Sequence, residues 1–143
     1  MKFLIVDDST VSRGKIINVF KSVFDDIEYL EAADGEEALT YIDLYGSEID
    51  LMTLDWHMPK KNGMEVLETL KKQNIKLAII MLTTEQQKDE VVRAILMGAS
   101  NYVVKPFDAV SLTEKAEKLL KEKGKVVKRK FKGKPGESEE KKD

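Results

Sequence analysis

Short apolar runs alternate along the chain with longer stretches in which apolar residues recur every three or four positions. Segments 2–6 (KFLIV), 27–32 (IEYLEA), 50–54 (DLMTL), 77–82 (LAIIML) and 101–105 (NYVVK) have strand length. Three of them are almost wholly apolar, as strands covered on both faces should be. Segments 11–24, 35–45, 64–72, 87–97 and 109–123 carry helical periodicity. In the first of these, Val11, Ile16, Val19, Phe20 and Val23 fall near one face. Punctuation agrees: Asp34 and Asp108 stand where N-caps belong, Gly98 stands where a helix stops, and Asn62-Gly63 reads as turn chemistry.

Five strands alternating with five helices predict an α/β fold with a doubly wound, five-stranded parallel sheet, because right-handed crossovers lay helices on both faces. Ligands of such sheets gather outside the carboxyl ends of the strands, where strand order reverses. That edge receives Asp7 and Asp8 from the first strand, Asp55 from the third, the TTE run at 83–85 from the fourth and the KPF run at 105–107 from the fifth.

Composition narrows the chemistry. The chain has 143 residues, 42% apolar and 35% charged, which suits one domain with a real core. It has no cysteine, so disulfides, thiolate metal sites and thiol nucleophiles are excluded, and a reducing cytoplasm is the expected compartment. No apolar stretch approaches the roughly 20 residues of a membrane span, and two acids follow the first apolar run too early for a signal peptide. A soluble monomer is expected.

Charge divides the chain in two. Residues 1–120 carry 14 Lys and Arg against 21 Asp and Glu, whereas residues 121–143 carry 10 against 5. The acidic body argues against a nucleic-acid grip by the domain itself, since phosphate backbones demand positive clusters. The expected organisation is a domain over 1–123 followed by a basic, flexible tail over 124–143.

Three carboxylates at one sheet edge repel one another by roughly 4 kcal/mol per close pair at an effective dielectric near 20, so a compensating cation is needed. An all-oxygen donor set suits Mg²⁺. Lys105 adds a compact positive charge and Thr83 a hydroxyl, and together these groups provide what a transferring phosphoryl group requires. One carboxylate is then the nucleophile. Asp55 ends the central strand and is the choice, while the adjacent Asp7 and Asp8 suit the metal. Each residue alone has a plainer reading as a turn, a cap or a solvated charge; their convergence on one edge is what favours chemistry.

The runs LIVDDS, MTLDWHMPKKNG, IIMLTTE, GASNYVVKPF and LTEKAEKLL resemble, in order and spacing, the receiver domain of two-component response regulators over residues 1 to about 122. The resemblance implies a flavodoxin-like, CheY-like (βα)5 fold with strand order 2-1-3-4-5. It also implies a signalling protein rather than an enzyme, one that catalyses only its own phosphotransfer and autodephosphorylation. Asp55 is then the phosphoacceptor. Asp8 and Asp55 are Mg²⁺ ligands, Asp7 acts through a metal-bound water, and the His57 backbone carbonyl completes the protein's ligands. Thr83 and Tyr102 form the switch, Lys105 holds the phosphoryl group, and the side chains of His57 and Glu85 modulate hydrolysis. The Lys105–Pro106 bond is expected to be cis, and Trp56 to pack partly exposed.

Implied partners are a histidine kinase, a phosphorylation-dependent target, and a phosphatase. DWHMP, TTE and YVVKPF look closest to chemotaxis regulators acting on a flagellar motor switch. A single-domain receiver of another phosphorelay, or the isolated receiver of a transcriptional regulator, shares the same core. An aspartyl-phosphate phosphatase of the haloacid-dehalogenase type would place a second Asp where this chain has His57. A flavodoxin would not set two acids at its phosphate cradle.

Overall fold

The structure is a computed structural model that describes residues 1–84 and 88–130, Lys88 by its backbone alone. In chain order the elements are β1 (Lys2–Val6), α1 (Thr10–Val23), β2 (Phe24–Asp25), β3 (Glu28–Ala32), α2 (Gly35–Tyr45), a 3₁₀ turn (Gly46–Glu48), β4 (Leu51–Asp55), α3 (Gly63–Lys72), β5 (Ile79–Thr83), α4 (Lys88–Leu96), β6 (Asn101–Val104), α5 (Ala109–Glu122) and β7 (Lys128–Arg129).

Five strands pair in the order β3-β1-β4-β5-β6, every neighbour parallel. Counting only these five, the order is 2-1-3-4-5, as the family resemblance implies; β2 merely shifts the numbering. Strand order reverses at β1, which pairs with β3 on one side and β4 on the other, so Val6 stands between Ala32 and Leu54.

The period-two alternation of the strands divides the core into two layers. Phe3, Ile5, Leu51, Ile80, Leu82 and Val103 join the face packed by α1 and α5 through Phe20, Leu112 and Leu119. Leu4, Val6, Met52, Leu54, Ile79 and Met81 join the opposite face, with Ile42, Leu67 and Ala94 from α2, α3 and α4. On α1 the buried stripe is Ile16, Ile17, Phe20 and Val23, whereas Val11, expected on that face, is exposed.

Caps fall largely as read. The side chains of Asp34 and Asp108 accept the N–H groups of Glu37 and Ser111, and Gly98 follows α4 with φ +112°. Asn62 does more than turn the chain. It forms a reciprocal capping box with Glu65 at the start of α3.

The carboxyl-terminal boundary differs from expectation. Rather than leaving the body at residue 123, the chain folds back, and β7 pairs antiparallel with β2, Phe24 opposite Arg129 and Asp25 opposite Lys128. Val127 is only 6% exposed and joins the α1–α5 layer. Arg129 grips Glu117 of α5 through two nitrogens, at 2.9 and 2.5 Å, and Lys125 reaches Asp50 at 2.7 Å. One buried valine of a Val-Val pair set among lysines, together with a long-range ribbon, thus holds residues that composition alone assigns to a flexible tail. Residues 131–143 of that tail lie outside the described residues.

Candidate functional site

Each strand of the sheet except β3 delivers polar side chains to the carboxyl edge. Asp7 and Asp8 follow β1 directly, Asp55 closes β4, Thr83 closes β5, and Lys105 follows β6. Register brings them together: Asp55 stands opposite Leu82, and Thr83 opposite Val104. The Lys105 N–H donates to the Thr83 carbonyl at 2.6 Å, fixing the fifth strand's end beside the fourth. The Lys105–Pro106 bond is cis.

Gly63 allows α3 to begin close under this edge. A Cβ there would lie 2.7 Å from the Asp55 carbonyl oxygen, which is forbidden contact, and the Gly63 N–H donates to the Trp56 carbonyl at 3.0 Å. Trp56 itself is 5% exposed and packs in the α2–α3 layer, more buried than the expected partly exposed position. The His57 side chain, next along the loop, is exposed.

Carboxylate oxygens of Asp7, Asp8 and Asp55 lie within 4.8 Å of one another, with Asp7 buried, Asp55 half-buried and Asp8 exposed. Lys105 is suspended between two of them, its Nζ 3.3 Å from Asp7 Oδ2 and 3.4 Å from Asp55 Oδ1. Burial pushes the Asp55 carboxyl above its ordinary range; the Lys105 charge opposes this, and the neighbouring Asp7 and Asp8 add to it. A hard divalent cation is the group that relieves such a cluster. The donor set is all oxygen, graded from a buried to an exposed carboxylate, and fits Mg²⁺.

Asp7 has a dense set of partners. Its Oδ1 accepts the Ser9 N–H at 2.9 Å, its Oδ2 accepts the Ser12 hydroxyl at 2.6 Å, and its carbonyl accepts Arg13 Nη1 at 2.6 Å. Arg13 is held in turn by Glu31 of β3 at 3.0 Å. The sequence reading missed Ser9, Ser12 and Arg13. Helical periodicity does not mark them, since Asp7 precedes α1 and each contact depends on how the first turn of that helix meets the end of β1.

The Thr83 hydroxyl donates to the Thr84 carbonyl at 3.3 Å, and the residue is buried. Tyr102 is 39% exposed and, with Thr83, Val91, Ile95 and Leu96, lines an apolar groove between α4 and β6. The Lys115 ammonium lies 5.2 Å from the Tyr102 ring centre and bonds its carbonyl at 2.7 Å. Glu85, the second expected modulator, lies outside the described residues.

Comparison with known proteins identifies the family. The response regulator receiver domain model matches residues 3–117. The chemotaxis protein CheY1 of Helicobacter pylori is 38% identical over 123 residues, covering 84% of this chain and 97% of that relative. A response regulator receiver domain protein of Clostridium thermocellum superposes with a TM-score of 0.78 at 29% identity, covering 86% and 96% of the two chains. The CheX–CheY–BeF₃–Mg²⁺ complex of Borrelia burgdorferi contains a chain that superposes with a TM-score of 0.76 at 28% identity, covering 83% and 88%.

Proposed function

The chain belongs to the response regulator receiver family, and from that premise we propose that it is a phosphorylation-driven switch in which Asp55 accepts a phosphoryl group from a histidine kinase. The observation that carries this reading is the suspension of Lys105 between Asp7 and Asp55, 3.3 and 3.4 Å away. A cation held so close to the nucleophile, yet tied to a second carboxylate, can follow a transferred phosphoryl group without leaving the site.

In the transfer, an Asp55 carboxylate oxygen attacks phosphorus as the bond to the kinase's histidine nitrogen breaks, and the electron pair of that bond stays on the imidazole. Lys105 and the Thr83 hydroxyl donate to the phosphoryl oxygens, where charge concentrates. Asp8 and Asp55 would hold Mg²⁺ directly, Asp7 through water, and the His57 backbone carbonyl would add a ligand. When bound, the ion neutralises charge on the phosphoryl oxygens. Water reverses the modification, and the side chains of His57 and Glu85 set its pace.

Output follows from contacts that exist only with phosphate present. Drawing Thr83 toward Asp55 moves the start of the connection into α4 and alters the groove that Tyr102 lines. Val92 and Leu96 of α4 are 61% and 72% exposed, so this face offers apolar area to a protein target. The similarity to CheY proteins favours chemotaxis, with a flagellar motor switch as the target. The protein does not act as a metabolic enzyme; it catalyses only its own modification and its reversal.

Incubation with a chemotaxis histidine kinase and γ-labelled ATP tests the reading. Label passes to the wild-type chain, and the labelled form binds a motor-switch protein more tightly than the unlabelled one. Label transfer without any gain in that binding would place the switch in another pathway, and no transfer from any kinase would remove the reading.

A further inference from the structure

Asp7 is 1% exposed, and a buried carboxylate is stable only where donors surround it. Of its side-chain partners, the Ser9 N–H is backbone and the Lys105 ammonium belongs to the phosphoryl site. The third is the Ser12 hydroxyl, whose 2.6 Å bond to Oδ2 is the shortest of the three. A serine in the first turn of a helix ordinarily turns its hydroxyl to nearby backbone or to water. Ser12 instead turns inward, while its own N–H rests on the Ser9 hydroxyl at 3.2 Å, so its backbone is anchored at the N-cap.

Oδ2 is also the oxygen that Lys105 approaches at 3.3 Å. The Ser12 hydroxyl therefore governs both where that oxygen points and how its charge is divided between Lys105 and a cation at the acid cluster. We propose that Ser12 is a positioning residue of the phosphotransfer site, aiming the Asp7 carboxylate so that Mg²⁺ binds and Lys105 remains shared with Asp55. This rests on the reading of Asp7, Asp8 and Asp55 as the Mg²⁺ site. A donor that orients a metal-site carboxylate is typically worth about 10-fold or more in metal affinity.

The test compares full-length wild type with Ser12→Ala, Ser12→Thr and Ser12→Val. Mg²⁺ affinity is read from Trp56 fluorescence, and the Mg²⁺ dependence of phosphorylation from acetyl phosphate. The expected result is about 10-fold weaker Mg²⁺ binding in Ser12→Ala, a matching rise in half-saturating Mg²⁺, and a smaller fall in the maximal rate. Ser12→Thr restores affinity to near wild type and Ser12→Val does not, since the two share a shape and differ in the hydroxyl. Should Ser12→Ala fold poorly, the Thr and Val pair carries the comparison. Mg²⁺ affinity within twofold of wild type in Ser12→Ala, or equal losses in the Thr and Val variants, overturns the role of Ser12 alone. Absence of both Mg²⁺ binding and phosphorylation in the wild type overturns the underlying reading with it.

Discussion

The Lys105 ammonium lies 3.4 Å from an Asp55 oxygen while it is also paired, at 3.3 Å, with the buried Asp7. One lysine therefore offsets two carboxylates of a three-carboxylate cluster. Replacing it by Met removes that offset, and Mg²⁺ becomes the main compensating charge. Lys105→Met is expected to bind Mg²⁺ about 10-fold more tightly, because an interaction of several kcal/mol at this separation no longer competes with the ion. The same variant gains phosphate from a small donor at least 10-fold more slowly, through loss of a donor to the phosphoryl oxygens. Fluorescence titration and single-turnover labelling measure the two effects; a Lys105→Met protein that loses Mg²⁺ affinity contradicts this division of charge.

Burial raises the Asp55 pKa, with Lys105 opposing and Asp7 adding to the rise. A raised carboxyl contributes most to stability below the ordinary value of 3.8, and that contribution is lost as pH rises through the folded value. At neutral pH the ion-free wild type is therefore under strain from its own charges. Asp55→Asn should be more stable than wild type in EDTA at pH 7, and the difference should vanish as pH falls below about 4. Added Mg²⁺ should stabilise wild type more than the variant. Thermal melts with and without the ion check both signs.

The returning carboxyl-terminal segment makes a separate prediction. Truncation after Lys130 keeps the ribbon and serves as the reference. Truncation after Lys123 removes Val127 from the core and Arg129 from Glu117, and should cost about 2–4 kcal/mol, roughly 10 °C. Burial acts to raise the Asp50 pKa, but the Lys125 ammonium and the Lys2 N–H outweigh it and hold the carboxyl below 3.8; Arg129 holds Glu117 below its ordinary 4.5. Depressed carboxyls stabilise above their ordinary pKa, and the gain is lost as pH falls through the folded value. The advantage of the longer chain should thus be complete above about pH 5 and shrink below about pH 4. Equal stability of the two truncations at neutral pH would show that the ribbon carries no energy.

The output face predicts a difference between two neighbours in one groove. Thr83 is buried at the end of β5, whereas Tyr102 is partly exposed on the strand alongside. Thr83→Ala should still accept phosphate but gain at least fivefold less partner affinity from it, and Tyr102→Ala should impair binding more than labelling. Calorimetric titration of a target with beryllofluoride-treated proteins separates the two. Identical gains in wild type and both variants would move the output to another face.

The site was legible in the sequence wherever a residue's role follows from its place at a strand end. Asp7, Asp8, Asp55, Thr83 and Lys105 each close or follow an apolar run, and parallel strands must carry such residues to one edge. Ser12 was not legible, because its meaning depends on a rotamer aimed at a carboxylate five residues earlier. The β2–β7 ribbon was hidden for a different reason. Phe24 reads as the end of a helix and Val127 as half of a Val-Val pair among lysines, so neither half shows an amphipathic period, and only their pairing across about 100 residues makes a strand of either. Asn62-Gly63 sits between these cases: its turn chemistry was plain, while the capping box required Glu65 to turn back on the Asn62 N–H.

The most direct measurement maps the phosphoryl group itself. Wild type and Asp55→Asn are incubated with Mg²⁺ and acetyl phosphate, quenched in acid, digested and analysed by mass spectrometry, with a hydroxylamine-treated aliquot alongside. The wild type should carry one phosphoryl group, on the peptide containing Asp55 and lost to hydroxylamine, and the variant should carry none. A phosphoryl group retained at full yield by Asp55→Asn, or mapped to a side chain outside the Asp7–Asp55–Lys105 cluster, would contradict the account at its centre.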